Sequence, residues 1–122
     1  MELKDLNPKK YILTKEQESN ALKLCSAINE LQSLCEMPFL VTSGIRSVQD
    51  QLRINPSVKS SAHMSGEAVD ISDVDGAIYG WCMDNLDILI RLGIYLECRT
   101  STPRWIHCQI RVPKSGRRIF IP

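Results

Sequence analysis

Two histidines and one aspartate carry the chemistry this sequence can do. The chain contains only two histidines, His63 and His107. His63 lies in the polar segment Ser61-Ala62-His63-Met64-Ser65-Gly66, and Asp70 follows on the short run Ala68 to Ile71. Alternation puts Val69 and Ile71 on one side of that run and Ala68 and Asp70 on the other, so Asp70 leaves the core side. Ser65-Gly66 lets the backbone turn sharply between the two groups. His107 lies in Trp105-Ile106-His107-Cys108-Gln109-Ile110. Ile106, Cys108 and Ile110 take the apolar face there, and Trp105, His107 and Gln109 take the other. Two imidazoles and one carboxylate suit zinc, whose catalytic sites typically have three protein ligands and an open fourth position. The HExxH spacing is absent. From residue types alone a second reading stays open, with His63 a surface loop residue and His107 a hydrogen-bonding strand residue.

These groups need elements to hold them. The spacing predicts a helix from about Lys15 to Cys35, with Thr14 and Gln17 at capping-box spacing. Its apolar stripe is Ala21, Leu24, Cys25, Ile28, Leu31, Leu34 and Cys35, and Pro38 ends the pattern. Phe39 to Val41 reads as a short buried strand entering the turn Thr42-Ser43-Gly44. A short helix is expected over Val48 to Ile54, broken by Asn55-Pro56, and Ser57 to Gly66 reads as loop. A second long helix is expected over Gly76 to Leu92, with Ile78, Trp81, Cys82, Leu86, Leu89 and Ile90 as its apolar face and Asp73 or Asp75 capping its start. Tyr79 and Trp81 read as packing residues of that helix. Ile94 to Cys98 and Trp105 to Val112 alternate and form a hairpin. The apolar end Ile119-Phe120-Ile121 is expected to pack back on the body. Together this is an α+β fold, a small antiparallel sheet with two main helices.

The bulk numbers narrow the function classes. A chain of 122 residues fits one domain, residues 1–122, and 43% hydrophobic with 24% charged residues is ordinary for a globular protein. A net charge of +1 argues against a nucleic-acid partner. Lys114, Arg117 and Arg118 read as a solvated tail. Five cysteines without CxxC spacing argue against a disulfide framework and suit the cytosol. No stretch approaches the roughly 20 apolar residues of a spanning helix, and MELKDLNPKK lacks the apolar run of a signal peptide. Synthesis in the cytoplasm, a monomeric state and no membrane insertion are the expectations. The acids Asp73, Asp75, Asp84 and Asp87 lack the EF-hand pattern.

Ser61, His63, Gly66, Ala68 and Asp70 together resemble the Ser-x-His-x-x-Gly-x-Ala-x-Asp signature of the D-Ala-D-Ala carboxypeptidase and L-alanyl-D-glutamate endopeptidase family. These zinc peptidases share a fold with the hedgehog signalling domain. Trp105 and His107 are similar to the family's Trp-x-His block. Ser43, Gly44, Arg46, Ser47 and Gln51 are similar to its upstream Ser-Gly-x-Arg-Ser block, whose Gln follows the Arg by five residues. The blocks run in family order across Ser43 to Gln109, over half the chain. The resemblance implies that His63, Asp70 and His107 bind zinc. It implies that Arg46 anchors a substrate carboxylate or carbonyl, that Gln51 and Ser61 hydrogen-bond nearby, and that Trp105 walls the pocket. A guanidinium fork matches the carboxylates that end wall peptides. The implied partner is a peptidoglycan stem peptide. Compact length and the absent signal peptide look most like phage-encoded members, the endolysins and virion wall-cutting enzymes that reach the wall after release or within a virion.

One position departs from the pattern. Many members carry the acid that serves as general base three residues before the last zinc histidine, and here that residue is Arg104. Glu97 is the replacement. Ile94, Leu96 and Cys98 form the apolar face of its strand, so Glu97 faces the other way. A hairpin turning near Ser101-Thr102 brings it across from Trp105 to His107. The alternative for Glu97 is a solvent-facing strand residue. Glu67 alternates away from Asp70 and reads as a surface residue. The implied mechanism has Glu97 take a proton from the attacking water and return it to the leaving amine. Two other readings stay open: a zinc-containing peptidoglycan-binding module without catalysis, which Arg104 favours, and a virion structural module.

Overall fold

The computed structural model describes residues 1–55 and 61–122. Along them run α1 (Leu3–Leu6), α2 (Lys15–Cys35), β1 (Val41–Ser43), α3 (Val48–Ile54), β2 (Ala68–Ser72), α4 (Ala77–Asp84), α5 (Leu86–Leu92), β3 (Tyr95–Glu97), β4 (Trp105–Gln109) and β5 (Ile119–Phe120). The class is α+β, as the patterning predicts.

α2 begins where its cap dictates. Thr14 Oγ1 accepts from the Gln17 N–H at 3.1 Å, and Gln17 Oε1 accepts from the Thr14 N–H at 2.8 Å. Its stripe from Ala21 to Cys35 is buried, with one exception: Leu34, expected in the stripe, is 41% exposed. Cys35 takes the core-facing place four residues after Leu31, and Leu34 falls to its side. Glu36, in the left-handed conformation, closes the helix two residues before Pro38. α3 has the expected bounds, and Ser47 Oγ caps it by accepting from the Asp50 N–H. The expected break at Asn55-Pro56 and the loop from Ser57 to Gly66 fall partly on residues 56–60, outside the described residues.

Three elements differ from expectation. The helix predicted over Gly76 to Leu92 is two helices. Asn85 breaks it, with its Nδ2 donating to the Trp81 carbonyl at 2.8 Å and its backbone leaving the helical region. A side-chain amide that satisfies a helix carbonyl competes with the backbone bond that would continue the turn. The break also resets the phase. Ile78, Cys82 and Leu89 are buried, but Ile90 is 58% exposed. At the start of α4 both aspartates act: Asp73 accepts from the Ile78 and Tyr79 N–H groups, and Asp75 accepts from that of Ala77. β1 begins at Val41, later than expected, and Leu40 is exposed. The N-terminal turn α1, unmarked by any apolar periodicity, buries Leu6 under β1.

The sheet has five strands in the order β1-β2-β4-β3-β5. β1/β2, β2/β4 and the β3/β4 hairpin are antiparallel, but β5 joins β3 in parallel, so the sheet is mixed. The tail returns at Ile119 and Phe120, with Phe120 buried, but Ile121, expected to pack with them, lies beyond β5 and is exposed. Arg118, predicted as solvated tail, is half-buried instead. Its guanidinium lies 4.0 Å over the Tyr95 ring and donates to the Ile94 carbonyl. One face of the sheet joins the core. Val69, Ile71, Leu96, Ile106 and Cys108 pack with the α2 stripe and Leu89. Cys25, Cys35, Cys82 and Cys108 are buried free thiols, and Cys98 is half-buried. No helix among the described residues is long and apolar enough to cross a membrane.

Candidate metal centre

The face opposite the core holds the chemistry, and strand register sets its order. Ser43 pairs with Asp70, Asp70 pairs with His107, and Glu97 pairs with Phe120. Leu96 pairs with Cys108, so the next position along the hairpin sets Glu97 beside His107. Ser43, Asp70, His107, Glu97 and Phe120 therefore form one row across all five strands. Paired residues project to the same face, and His107 at the middle of the row meets Asp70, Glu97 and Phe120. His107 Nδ1 lies 3.0 Å from Asp70 Oδ1 and 3.7 Å from Glu97 Oε2, and the His107 and Phe120 rings meet edge to face.

His63 reaches this row from the turn before β2. The turn is pinned from two sides. Gln17 and Asn20 of α2 donate side-chain N–H groups to the Met64 and Ser65 carbonyls. Ser61 Oγ accepts from the His63 N–H, so the described hydrogen bond of Ser61 holds the turn. Gly66 sits at φ +79°, and a Cβ there would stand 2.7 Å from the Gln17 carbonyl oxygen. His63 Nδ1 donates to the Gly44 carbonyl at 2.8 Å, because a carbonyl can only accept, and this turns Nε2 to within 3.3 Å of Asp70 Oδ1.

Gly44 is glycine for a reason of space. A Cβ there would stand 2.3 Å from the Leu6 carbonyl oxygen, which also accepts from the Ile45 N–H. Gly44→Ala is expected to cost about 1–3 kcal/mol by overpacking. A thermal melt should show the midpoint several degrees lower.

Three ligand atoms converge: one each from His63, Asp70 and His107 lie within 4.8 Å of one another. All three residues are buried. Two donors each about 2.1 Å from a tetrahedral ion stand roughly 3.4 Å apart. The 3.3 Å and 3.0 Å separations from Asp70 Oδ1 to the two imidazoles match that spacing. The donor set fits zinc in type, and the two separations from Asp70 fit it in spacing.

Charge is arranged accordingly. Burial pushes the Asp70 carboxyl up, but hydrogen bonds and charge from His107 and His63 outweigh it, and the group sits well below the usual carboxylate range. Burial holds the His63 imidazole below its ordinary value, which keeps it neutral and ready to ligate. Burial also acts downward on His107, but the Asp70 hydrogen bond and charge prevail and raise it. A cation entering there displaces the ring proton. Burial raises the Glu97 carboxyl, against the lowering charge of His107.

Arg46 bonds to one member of the cluster, Asp70. It donates from Nη2 to Asp70 Oδ2 at 3.3 Å, from Nη1 to Gln51 Oε1 at 3.2 Å and from Nε to Ser43 Oγ at 3.2 Å. Gln51 is buried and holds Arg46 in place. Trp105, half-buried, starts β4 opposite Ser72 and shares the face of His107 by alternation. Arg104 is exposed, and Glu97 is the acid beside the histidines. Glu67 corrects the surface reading: it pairs with Arg111 at 3.1 Å and its side chain is 20% exposed. Gln109 had only its strand face to mark it, yet its Oε1 lies 2.7 Å from His107 Nε2. Its i+2 spacing from His107 was the available signal.

Comparison with known proteins bears on the fold and on the family. The crystal structure of the L-Ala D-Glu endopeptidase ChiX of Serratia marcescens is similar in fold, with a TM-score of 0.54 and 21% identity over 92% of this chain and 99% of that one. No curated protein sequence matches. The model of the family described as Peptidase M15 matches residues 4–83, which include Arg46, His63 and Asp70. That match covers well over half of the chain, and on it the chain belongs to the Peptidase M15 family.

Proposed function

We propose that this chain is a zinc metallopeptidase that hydrolyses amide bonds in peptidoglycan stem peptides. Its whole length, residues 1–122, acts as one monomeric domain. The observation that carries the reading is the convergence of His63, Asp70 and His107 with a fourth group, Glu97, 3.7 Å from a ligand nitrogen. Family membership and the endopeptidase neighbour agree with it. The endolysin-type role that the motif resemblance implies, with release to the wall by lysis or within a virion, belongs to the same proposal.

Zinc, when bound, supplies Lewis-acid polarisation of the amide carbonyl and acidification of water. The chain's own groups do the rest. Asp70 stays ionised and balances the cation's charge. Glu97 takes the proton of the attacking water and gives it to the leaving amine nitrogen. Its half-buried setting raises its basicity toward the working range. Arg46 is oriented by Ser43, Gln51 and Asp70, which take one N–H from each of its nitrogens, and the N–H groups left on Nη1 and Nη2 serve a substrate carboxylate or carbonyl. Trp105 forms a wall of the substrate cleft, and Ser61 lies at its edge.

The test is incubation of the purified protein with defined muropeptides, with and without a chelator, followed by mass analysis. Cleavage between L-Ala and D-Glu or between D-Ala residues, lost with chelator and restored by zinc, is the expected result. Zinc binding without turnover would replace the peptidase by a binding module. Absence of zinc binding would leave a structural protein.

A further inference from the structure

His107 has two ring nitrogens, and only one can face an ion. Nδ1 points at Asp70 Oδ1, 3.0 Å away. Nε2 points away from the centre, at Gln109 Oε1, 2.7 Å away. The Gln109 amide has its own orientation, because its Nε2 donates to the Arg111 carbonyl at 2.8 Å. An amide that donates through nitrogen there must offer oxygen to the ring. When a cation displaces the Nδ1 proton that faces Asp70, the ring keeps its other proton on Nε2, and Nδ1 is left for a ligand bond. His63 uses the opposite arrangement, with Nδ1–H on the Gly44 carbonyl and Nε2 inward.

Arg111 extends this hold to the other histidine. Its Nε donates to Glu67 Oε1 at 3.1 Å and its Nη2 to Ser65 Oγ at 2.8 Å. Ser65 lies two residues after His63, and the Glu67 N–H donates to the Ala62 carbonyl. Two segments far apart in sequence, each carrying an imidazole, are thus tied by one arginine.

We propose that Gln109 is a positioning residue of the metal centre: held by the Arg111 carbonyl, it locks His107 in the Nε2–H tautomer that presents Nδ1 to the ion. The Arg111 guanidinium, through Glu67 and Ser65, keeps that strand in register with the His63 turn. The assignment rests on the zinc reading above. Gln109→Leu keeps the size and removes the acceptor. Gln109→Glu keeps the acceptor.

The experiment has two readouts, neither of them activity. Zinc affinity is measured by competition with a chromophoric chelator. Histidine ¹⁵N spectra of the zinc-loaded protein report which ring nitrogen is metallated, and two histidines in the chain make assignment direct. Gln109→Leu is expected to lower zinc affinity about 10–100-fold. It should also broaden the His107 signals into a mixture of ring orientations, while Gln109→Glu restores the affinity and the single Nδ1-bound form. If the leucine variant fails to fold, Gln109→Met carries the same expectation. A folded leucine or methionine variant with wild-type affinity and spectrum overturns the assignment and leaves the zinc reading intact. A wild-type protein that binds no zinc overturns the zinc reading and this assignment with it.

Discussion

Glu97→Gln is expected to lower stem-peptide cleavage by about 10²–10⁴-fold and to leave the zinc content of the protein unchanged. Glutamine keeps the size of the side chain and its hydrogen-bonding reach, but it cannot take a proton. Glu97 lies outside the three-atom ligand cluster, so its loss removes no ligand bond. Its Oε2 is nevertheless only 3.7 Å from His107 Nδ1, which on the proposed mechanism would let it take the proton of the attacking water. Burial raises its carboxyl, and the nearby His107 charge holds that rise in check. The measurement is kcat on a defined muropeptide alongside metal analysis of the same preparation. Full rate with full zinc would remove Glu97 from the mechanism. Low rate with low zinc would make it a ligand.

Asp70→Ala should do the greater damage to the metal. Asp70 meets His63 Nε2, His107 Nδ1 and Arg46 Nη2 within 3.3 Å, so it is the one group shared by both imidazoles and the guanidinium. Zinc bound by four groups releases roughly 10–16 kcal/mol, or ~3 kcal/mol per ligand, so losing one ligand weakens binding by on the order of a hundredfold or more. Cleavage should fall with it. The metal-free variant should also melt lower, because an arginine whose side chain is 18% exposed loses its carboxylate. The sign of the pH dependence follows from the depressed carboxyl. The stability Asp70 contributes is fully present above its ordinary value of 3.8 and is lost as pH falls below it. Asp70 also raises His107, a contribution full below the ordinary imidazole value of 6.5 and lost as pH rises through the raised one, so melting curves of the two metal-free proteins should differ most between 3.8 and 6.5 and converge in acid. A constant gap across that range would show that Asp70 contributes through packing.

Much of this protein is written in short-range patterns. The Thr14–Gln17 box sets where α2 begins, and Ser47 sets where α3 begins, because a cap bonds to backbone only two or three residues away. Strand alternation separates Asp70, Glu97 and His107 from Val69, Leu96 and Ile106, because successive side chains on a strand point to opposite faces. Hydrophobic spacing failed where a polar side chain or a change of helix phase intervened, and alternation failed where a distant partner decided the outcome. Asn85 splits a helix that hydrophobic spacing reads as continuous, and Leu34 and Ile90 meet solvent despite their apolar character. Glu67, which alternation turns away from Asp70, is engaged by an arginine 44 residues further along.

The sequence by itself determined which residues face away from the core and what chemistry their types allow. It did not determine that Ser43, Asp70, His107, Glu97 and Phe120 stand in one row. That row depends on register between strands separated by long connections, on a bulge between Val41 and Ser43, and on a parallel pairing of the tail. A one-residue slip between β2 and β4 would send Asp70 and His107 to opposite faces. What selects the register is burial of the other face against α2, a sum over the whole core that no short segment contains.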